Sequence, residues 1–170
     1  MQIKTADIQP GDNLIFKRAK GDYVGLFFSL LLKLFNPNWD MWGWHMAIIV
    51  RPDGEDWIVL EATWPCCRLN RLSNMGECRI YRWLDVEPDK NKIADFAKAY
   101  CGKRYDILLY PWTMVQYLVR HYWNRPVPRL LDDRYTCWEL ATEFDEAMGK
   151  PICSKYDCPI LPNIQRELEK

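Results

Sequence analysis

The chain has 170 residues, of which 49% are hydrophobic and 27% charged, and this composition is typical of a single globular domain over residues 1–170. Its 23 basic residues equal its 23 acidic residues, so there is no electrostatic reason to expect a nucleic-acid partner. The nine tryptophans and nine tyrosines are unusual, because such large amphipathic rings line pockets and interfaces as well as cores.

The seven cysteines have irregular spacings that give little support to a metal site. There is no CxxC pair, and neither histidine lies near a cysteine pair, so we expect no metal and no organic cofactor. The first seven residues contain no apolar segment of the kind found in a secretory signal. The sequence therefore predicts reduced thiols and a cytoplasmic location.

The first predicted elements are a short strand and an apolar helix. Turn residues Pro10–Asp12 precede the strand Asn13–Lys17. The helix, Val24–Phe35, is shorter than the roughly 20 apolar residues that a bilayer requires, and Lys33 interrupts it. We expect a buried helix here, with a helix lying on a membrane surface as the alternative.

A tryptophan-rich loop, Trp39–Trp44, leads into an apolar strand, His45–Val50. The polar segment Arg51–Asp56 is typical of a hairpin turn. The next strand, Trp57–Thr63, should therefore pair antiparallel with the histidine strand and bring Glu61 to the same end of the sheet as His45. Two further strands are predicted around Cys67–Leu69 and Cys78–Trp83.

The second half of the chain is predicted to be helical. Apolar residues recur at nearly the helical period between Pro88 and Gly102. The aromatic-rich stretch Tyr105–Trp123 contains Pro111, which predicts a kink. A helix then begins at Cys137 and runs to about Gly149, and a last short helix is expected at Asn163–Glu169. Strands followed by helices indicate an α+β fold, with a small curled antiparallel sheet packed against the Cys137 helix.

Cys137 and His45 are a candidate nucleophile and base. Cys137 stands at the start of its predicted helix, capped by Thr136 or Asp133, where the backbone dipole favours a thiolate. An imidazole that shares the proton of such a thiol activates it. Glu61 interrupts an otherwise apolar strand, so it is either the group that orients the imidazole or an edge residue facing water.

Six segments, in order along nearly the whole chain, resemble the circularly permuted branch of the NlpC-like, papain-fold cysteine hydrolases. This branch includes lecithin:retinol acyltransferase-like and YiiX-like proteins, in which the histidine precedes the cysteine, as it does here. The six segments are Gly11–Phe16, Trp44–Val50, Val59–Thr63, Gly102–Asp106, Tyr135–Leu140 and Pro159–Pro162.

The resemblance implies a permuted papain-like fold with Cys137 as nucleophile, His45 as base and Glu61 as the orienting group. It also implies that Tyr105 lies near the thiolate and helps to bind an oxyanion. Trp44 and Trp138 depart from the family, whose members have smaller residues beside the histidine and the cysteine. We expect both rings to narrow the pocket or to favour an apolar acyl chain.

Together these patterns predict a thiol-dependent hydrolase or acyltransferase that cleaves an amide, ester or thioester through an acyl-enzyme. The expected substrate is a peptide, another amide or a lipid-acyl group. The alternative is a non-catalytic binding or assembly domain with an aromatic interface. Weak contact with a membrane surface through Val24–Phe35 is a further possibility, and the oligomeric state stays open.

Other polar residues have simpler interpretations. We expect His121 to have a structural role near a helix end. Cys66 and Cys67 are predicted to be strand residues rather than a redox pair. Asp132 and Asp133 are expected to be solvated loop carboxylates, and Asp40 is a weaker candidate for substrate contact from the aromatic loop.

Overall fold

The computed structural model describes residues 8–18, 20, 23–35, 43–82, 89–106, 112, 115, 119, 122–123 and 133–149. Its centre is a five-stranded antiparallel sheet in the order β4-β3-β2-β1-β5. The strands are β1 Asn13–Lys17, β2 Gly43–Asp53, β3 Asp56–Ala62, β4 Cys67–Arg71 and β5 Cys78–Tyr81. The α+β prediction is thereby confirmed.

The described structure also contains helices and a two-stranded parallel ribbon. The helices are α1 Tyr23–Phe35, α2 Lys90–Tyr100 and α3 Cys137–Ala147, and the ribbon consists of β6 Arg104–Tyr105 and β7 Arg134–Tyr135. A 3₁₀ turn spans Leu72–Asn74. None of the helices in the described ranges has the length and apolar character needed to span a membrane.

The hairpin between β2 and β3 is tighter than predicted. Pairing continues to Asp53 and Asp56, so the turn is Gly54-Glu55 instead of the whole Arg51–Asp56 segment. Gly54 has a φ of 66°, which glycine adopts at little steric cost. The closed hairpin fixes the register in which Ala47 stands opposite Glu61, two residues from His45.

Two sequence predictions are wrong about strand residues near the site. Trp44 belongs to β2 and is therefore not in a loop, although the preceding residues 39–42 lie outside the described structure. Tyr105 belongs to β6, so the predicted helix Tyr105–Trp123 cannot start there. Within that stretch the described helical residues are Trp112, Val115, Val119, Tyr122 and Trp123.

Helix α3 packs on one face of the sheet through Leu140 and Phe144, which are each 1% exposed. Ile15, Met46 and Ile48 belong to the same core cluster. A second cluster contains side chains that alternate with the first along the strands, such as Leu14, Phe16, Ala47, Ile49 and Val59. The sheet is thus buried on both faces, and packing in the first cluster fixes the position of α3 along β2.

The Gly11-Asp12 turn has a structural role. Gly11 has a φ of 90° and donates its amide to Ile49 O at 2.8 Å. The Asp12 carboxylate, 2% exposed, accepts two hydrogen bonds of 2.9 Å from Arg82 and one of 2.8 Å from the Gln9 amide. This turn fixes the start of β1 against β2.

Candidate active site

The ribbon β6–β7 brings the start of α3 to the end of the main sheet. Tyr105 donates its amide to Pro65 O at 3.0 Å, and Asp106 donates its amide to Tyr135 O at 3.2 Å. Cys67 and Gly102 are tied to the same corner by backbone hydrogen bonds of 2.8 Å, from Cys67 N to Lys103 O and from Gly102 N to Cys67 O. The residue that follows Tyr135 is the N-cap of α3, so these bonds position the cysteine.

Helix α3 begins with a complete capping box. The Thr136 Oγ1 accepts a hydrogen bond from the Glu139 amide at 3.3 Å, and the Glu139 carboxylate accepts one from the Thr136 amide at 3.0 Å. Thr136 is therefore the cap, and the alternative, Asp133, is not. Cys137 is the first helical residue and is 2% exposed. Its amide is one of the first helical N–H groups, which have no acceptor inside a helix.

The structure brings Cys137, His45 and Glu61 together in one hydrogen-bonded chain. His45 Nε2 lies 2.8 Å from Glu61 Oε2, and the ring also forms a hydrogen bond with the Cys137 side chain. Because Nε2 faces the carboxylate, Nδ1 is the ring nitrogen left for the sulfur. Residues 92 positions apart in sequence thus meet where β2 and α3 begin.

Glu61 is held by three partners and is not an edge residue facing water, since its side chain is only 5% exposed. Its Oε2 binds His45, and its Oε1 accepts hydrogen bonds from Arg68 Nε at 2.9 Å and from Asn70 Nδ2 at 3.0 Å. Arg68 and Asn70 are on β4, where Arg68 stands directly opposite Glu61. Each carboxylate oxygen therefore has at least one donor.

The electrostatics of this chain favour a charged imidazole and a charged carboxylate. Burial lowers the pKa of His45, but the hydrogen bonds to Cys137 and Glu61 and their charges outweigh it and raise that pKa from 6.5 to about 10. Burial raises the pKa of Glu61, but the hydrogen bond and charge of His45, with Arg68 and Asn70, lower it from 4.5 to about 2.

Two of the three predicted auxiliary residues line a cleft beside His45, and the third does not. Tyr105 and Trp44 line this cleft, whose volume is about 380 Å³. Trp138 is 3% exposed, is not among the lining residues and packs edge-to-face on Trp44, with ring centroids 5.9 Å apart. Trp44 and Trp138 therefore contact each other next to Cys137.

Sequence reasoning missed Arg68 and Asn70. The signal was present in β4, where polar residues at alternate positions share the face of Glu61. It becomes informative only when the register of β3 and β4 is known, because a shift by one residue moves both side chains to the other face.

Several other predicted features have the following places. Cys66 and Cys67 are free thiols, as are Cys78, Cys101 and Cys137. Cys67 is in β4, and Cys66 forms an isolated bridge with Arg104, so both are strand-type residues as predicted. Asp133 precedes β7 and is exposed. The predictions for Asp40, His121, Asp132 and the helix Asn163–Glu169 fall outside the described residues.

Within the described part of the chain, no group of three or more histidine, cysteine or acidic side chains is arranged to hold a metal ion. No protein-family model matches this sequence, and no curated protein matches it either. What can be said about function therefore depends on the chemistry of the side chains at the junction of β2, β3 and α3.

Proposed function

We propose that this protein is a cysteine hydrolase or acyltransferase with a permuted papain-like arrangement. The observation that carries the proposal is the chain from Cys137 through His45 to Glu61. It contains the nucleophile, the base and the orienting carboxylate that acyl transfer to a thiol requires. A thiol at the first residue of a capped helix adds a backbone amide suited to an oxyanion.

In the proposed reaction, the Cys137 thiolate attacks the carbonyl carbon of an amide, ester or thioester. A C–S bond forms, the bond to the leaving group breaks, and His45 gives its Nδ1 proton to the leaving group. Water or another acceptor then attacks the acyl-enzyme, His45 takes the acceptor's proton, and cleavage of the C–S bond restores the thiolate. Tyr105 lines the adjoining cleft and is the side chain proposed to assist the backbone amide.

The test is acylation of the protein by 4-nitrophenyl acetate. We expect a burst of 4-nitrophenolate and a mass increase of one acetyl group on Cys137, and Cys137→Ala should lower the turnover rate at least about 10³-fold. Cys101→Ala is the matched control, because Cys101 is an exposed thiol that is not part of the hydrogen-bonded group Cys137–His45–Glu61. Equal turnover by the two variants would contradict the proposal.

A second proposal is contact with a membrane surface through α1, and the exposed face of this helix is the observation that favours it. Tyr23, Phe27, Leu30 and Leu34 recur at helical spacing and are 54–79% exposed. Lys33, also exposed, lies on the same helix and suits an anionic lipid surface. If α1 contacts membranes, Leu30→Glu should abolish flotation with anionic vesicles, whereas Lys98→Glu on α2 should reduce it little. Equal flotation of both variants would contradict membrane contact through α1.

A further inference from the structure

The cleft beside His45 is rich in cationic and amide side chains. Its lining includes Lys17, Arg18, Arg68, Asn70 and Asn74. Cys137 is not among the lining residues, whereas His45 and Glu61 are. A molecule in this cleft therefore contacts the imidazole of His45 and not the sulfur of Cys137.

The positive charges of the cleft exceed the negative charges that face them. The Glu61 carboxylate is already shared between His45 and Arg68, and Lys17 pairs with Glu77 at 2.9 Å. Within the described residues, Arg18 has no ion pair, and its Nη1 is buried without a hydrogen-bond acceptor. A buried guanidinium nitrogen without a partner is costly, so this side chain is suited to an anionic acceptor from a ligand.

Arg68 presents a second guanidinium at the same cleft. Its Nε binds Glu61 Oε1 at 2.9 Å, which fixes the plane of the group, and the side chain is 52% exposed. The described structure gives its Nη atoms no partner. A guanidinium held in this way loses little further freedom when it binds a carboxylate or a phosphate.

The position of the cleft indicates which half of a substrate it holds. In acyl transfer to a thiol, the imidazole gives its proton to the leaving group and later takes one from the acyl acceptor. Both species must therefore contact His45, while the acyl group is bonded to the sulfur. The leaving and attacking atoms themselves lie beside the sulfur, so a cleft that touches the imidazole but not the sulfur is placed for the rest of the leaving group and of the acceptor.

We propose that this cleft binds a carboxylate or phosphate group carried by the leaving group or the acyl acceptor, with Arg18 and Arg68 as its ligands. The assignment to the leaving group rests on the proposed function, whereas binding of the anion does not. Both ligand types offer the planar or tetrahedral oxygens that guanidinium groups bind in pairs.

Binding of three small probes tests the anion site without any catalysis. Phenyl phosphate, benzoate and benzamide share a ring and differ in charge, and their affinities can be measured by ligand-detected NMR. We expect the better anion to bind at least about tenfold more tightly than benzamide, with the preferred anion identifying the ligand type. Arg18→Gln should remove most of this preference, and Arg18→Lys should restore part of it.

Arg71→Gln is the matched control, because Arg71 is an exposed arginine that pairs with Asp53 at 2.8 Å and does not line the cleft. It removes the same charge and should leave the preference unchanged. Equal affinities for the three probes, or equal losses in Arg18→Gln and Arg71→Gln, would overturn the inference. Failure of all three probes to bind would overturn it as well.

A pair of esters tests which half of the substrate carries the anion. In 3-acetoxybenzoate the negative charge is on the phenol leaving group, whereas in an aryl hemisuccinate it is on the acyl group. Relative to their uncharged amide analogues, the first should gain about tenfold in kcat/KM and the second little. A larger gain for the hemisuccinate would refute the leaving-group assignment. If neither ester is turned over but phenyl phosphate still binds, the proposed reaction and its leaving-group assignment fail while the anion site stands.

Discussion

Two buried carboxyl groups in this molecule have pKa values shifted in opposite directions, and the cause is the number of donors around each. Glu61 accepts hydrogen bonds from Arg68 and Asn70 and pairs with His45, which together lower its pKa to about 2. Asp145, on α3, is 0% exposed and has one donor, Asn13 Nδ2 at 3.0 Å. Burial raises the pKa of Asp145 well above 3.8, and the Asn13 hydrogen bond only partly opposes it.

A proton on Asp145 would account for two nearby buried oxygen atoms that have no hydrogen-bond partner. Asp145 Oδ2 and Asn13 Oδ1 are both buried without a partner. A proton on Oδ2 supplies a donor for a buried acceptor, whereas a carboxylate supplies none. The partners His45, Arg68 and Asn70 thus favour a charged Glu61 at the sheet end beside α3. The Asn13–Asp145 hydrogen bond, by contrast, ties α3 to β1 at a place where burial favours the neutral acid.

Among variants of the two acids and their partners, the largest expected effect comes from Glu61→Gln. The amide has nearly the same size but no charge, so the support for the His45 imidazolium weakens and the pKa of His45 falls. We expect a loss of about 100-fold or more in kcat/KM for an ester substrate. Glu146→Gln removes an exposed charge from α3 and is the control. A loss of less than about threefold would show that Glu61 does not orient His45.

Asp145→Asn should raise the stability of the protein. The amide reproduces the neutral acid, so the free energy of unfolding at pH 7 should rise by about 1–3 kcal/mol, measured by denaturant titration. Asp95→Asn, on the exposed side of α2, should change it little. A decrease for Asp145→Asn would mean that the aspartate is ionised and has a partner.

The two acids should also give opposite pH dependences of stability. Glu61 has a lowered pKa, so its contribution is present above its ordinary value of 4.5 and is lost as pH falls towards 2. Asp145 has a raised pKa, so its contribution is present below 3.8 and is lost as pH rises. Glu61→Gln should therefore flatten the acid limb of the stability curve. The advantage of Asp145→Asn over the wild type should grow with pH, and parallel curves would contradict this.

The smallest expected effect comes from Asn70→Ala. Glu61 Oε1 keeps Arg68 as a donor, so the free energy of unfolding should fall by only about 1 kcal/mol and kcat/KM by a few-fold. Asn74→Ala, which removes the side chain that donates to Asn70 Oδ1 at 3.3 Å, is the comparison variant. An effect as large as that of Glu61→Gln would place Asn70, rather than Arg68, as the main support of Glu61.

The elements that the sequence predicted well are those with a strong local signal. The strand Asn13–Lys17 and the helix starting at Cys137 have clear turn or capping residues at their ends, and the structure confirms both. The antiparallel pairing that brings Glu61 beside His45 followed from the short polar turn between the strands. The hydrogen-bonded approach of Cys137 and His45 was a prediction from family resemblance, and the structure places these groups together.

The remaining features depend on tertiary contacts that no local pattern reveals. Tyr105 has the aromatic, helix-compatible surroundings of the segment after it, but its pairing with Tyr135 makes it a strand residue. Arg68 on β4 and Arg18 just after β1 line one cleft, although β3 and β2 separate their strands in the sheet, and no local pattern predicts this. From the sequence alone Asp145 is an ordinary polar helix residue, and only the tertiary structure shows its contact with Asn13.

The most direct test of the central claim is the pH profile of Cys137 alkylation by iodoacetamide. An ordinary thiol, with a pKa of about 8.5, reacts very slowly at pH 5.5. If Cys137 and His45 share an ion pair, Cys137 should still be alkylated at this pH while the exposed Cys101 is not, and His45→Ala should abolish the reaction. A Cys137 rate that falls with pH in parallel with that of Cys101, and that is unchanged in His45→Ala, would contradict the account.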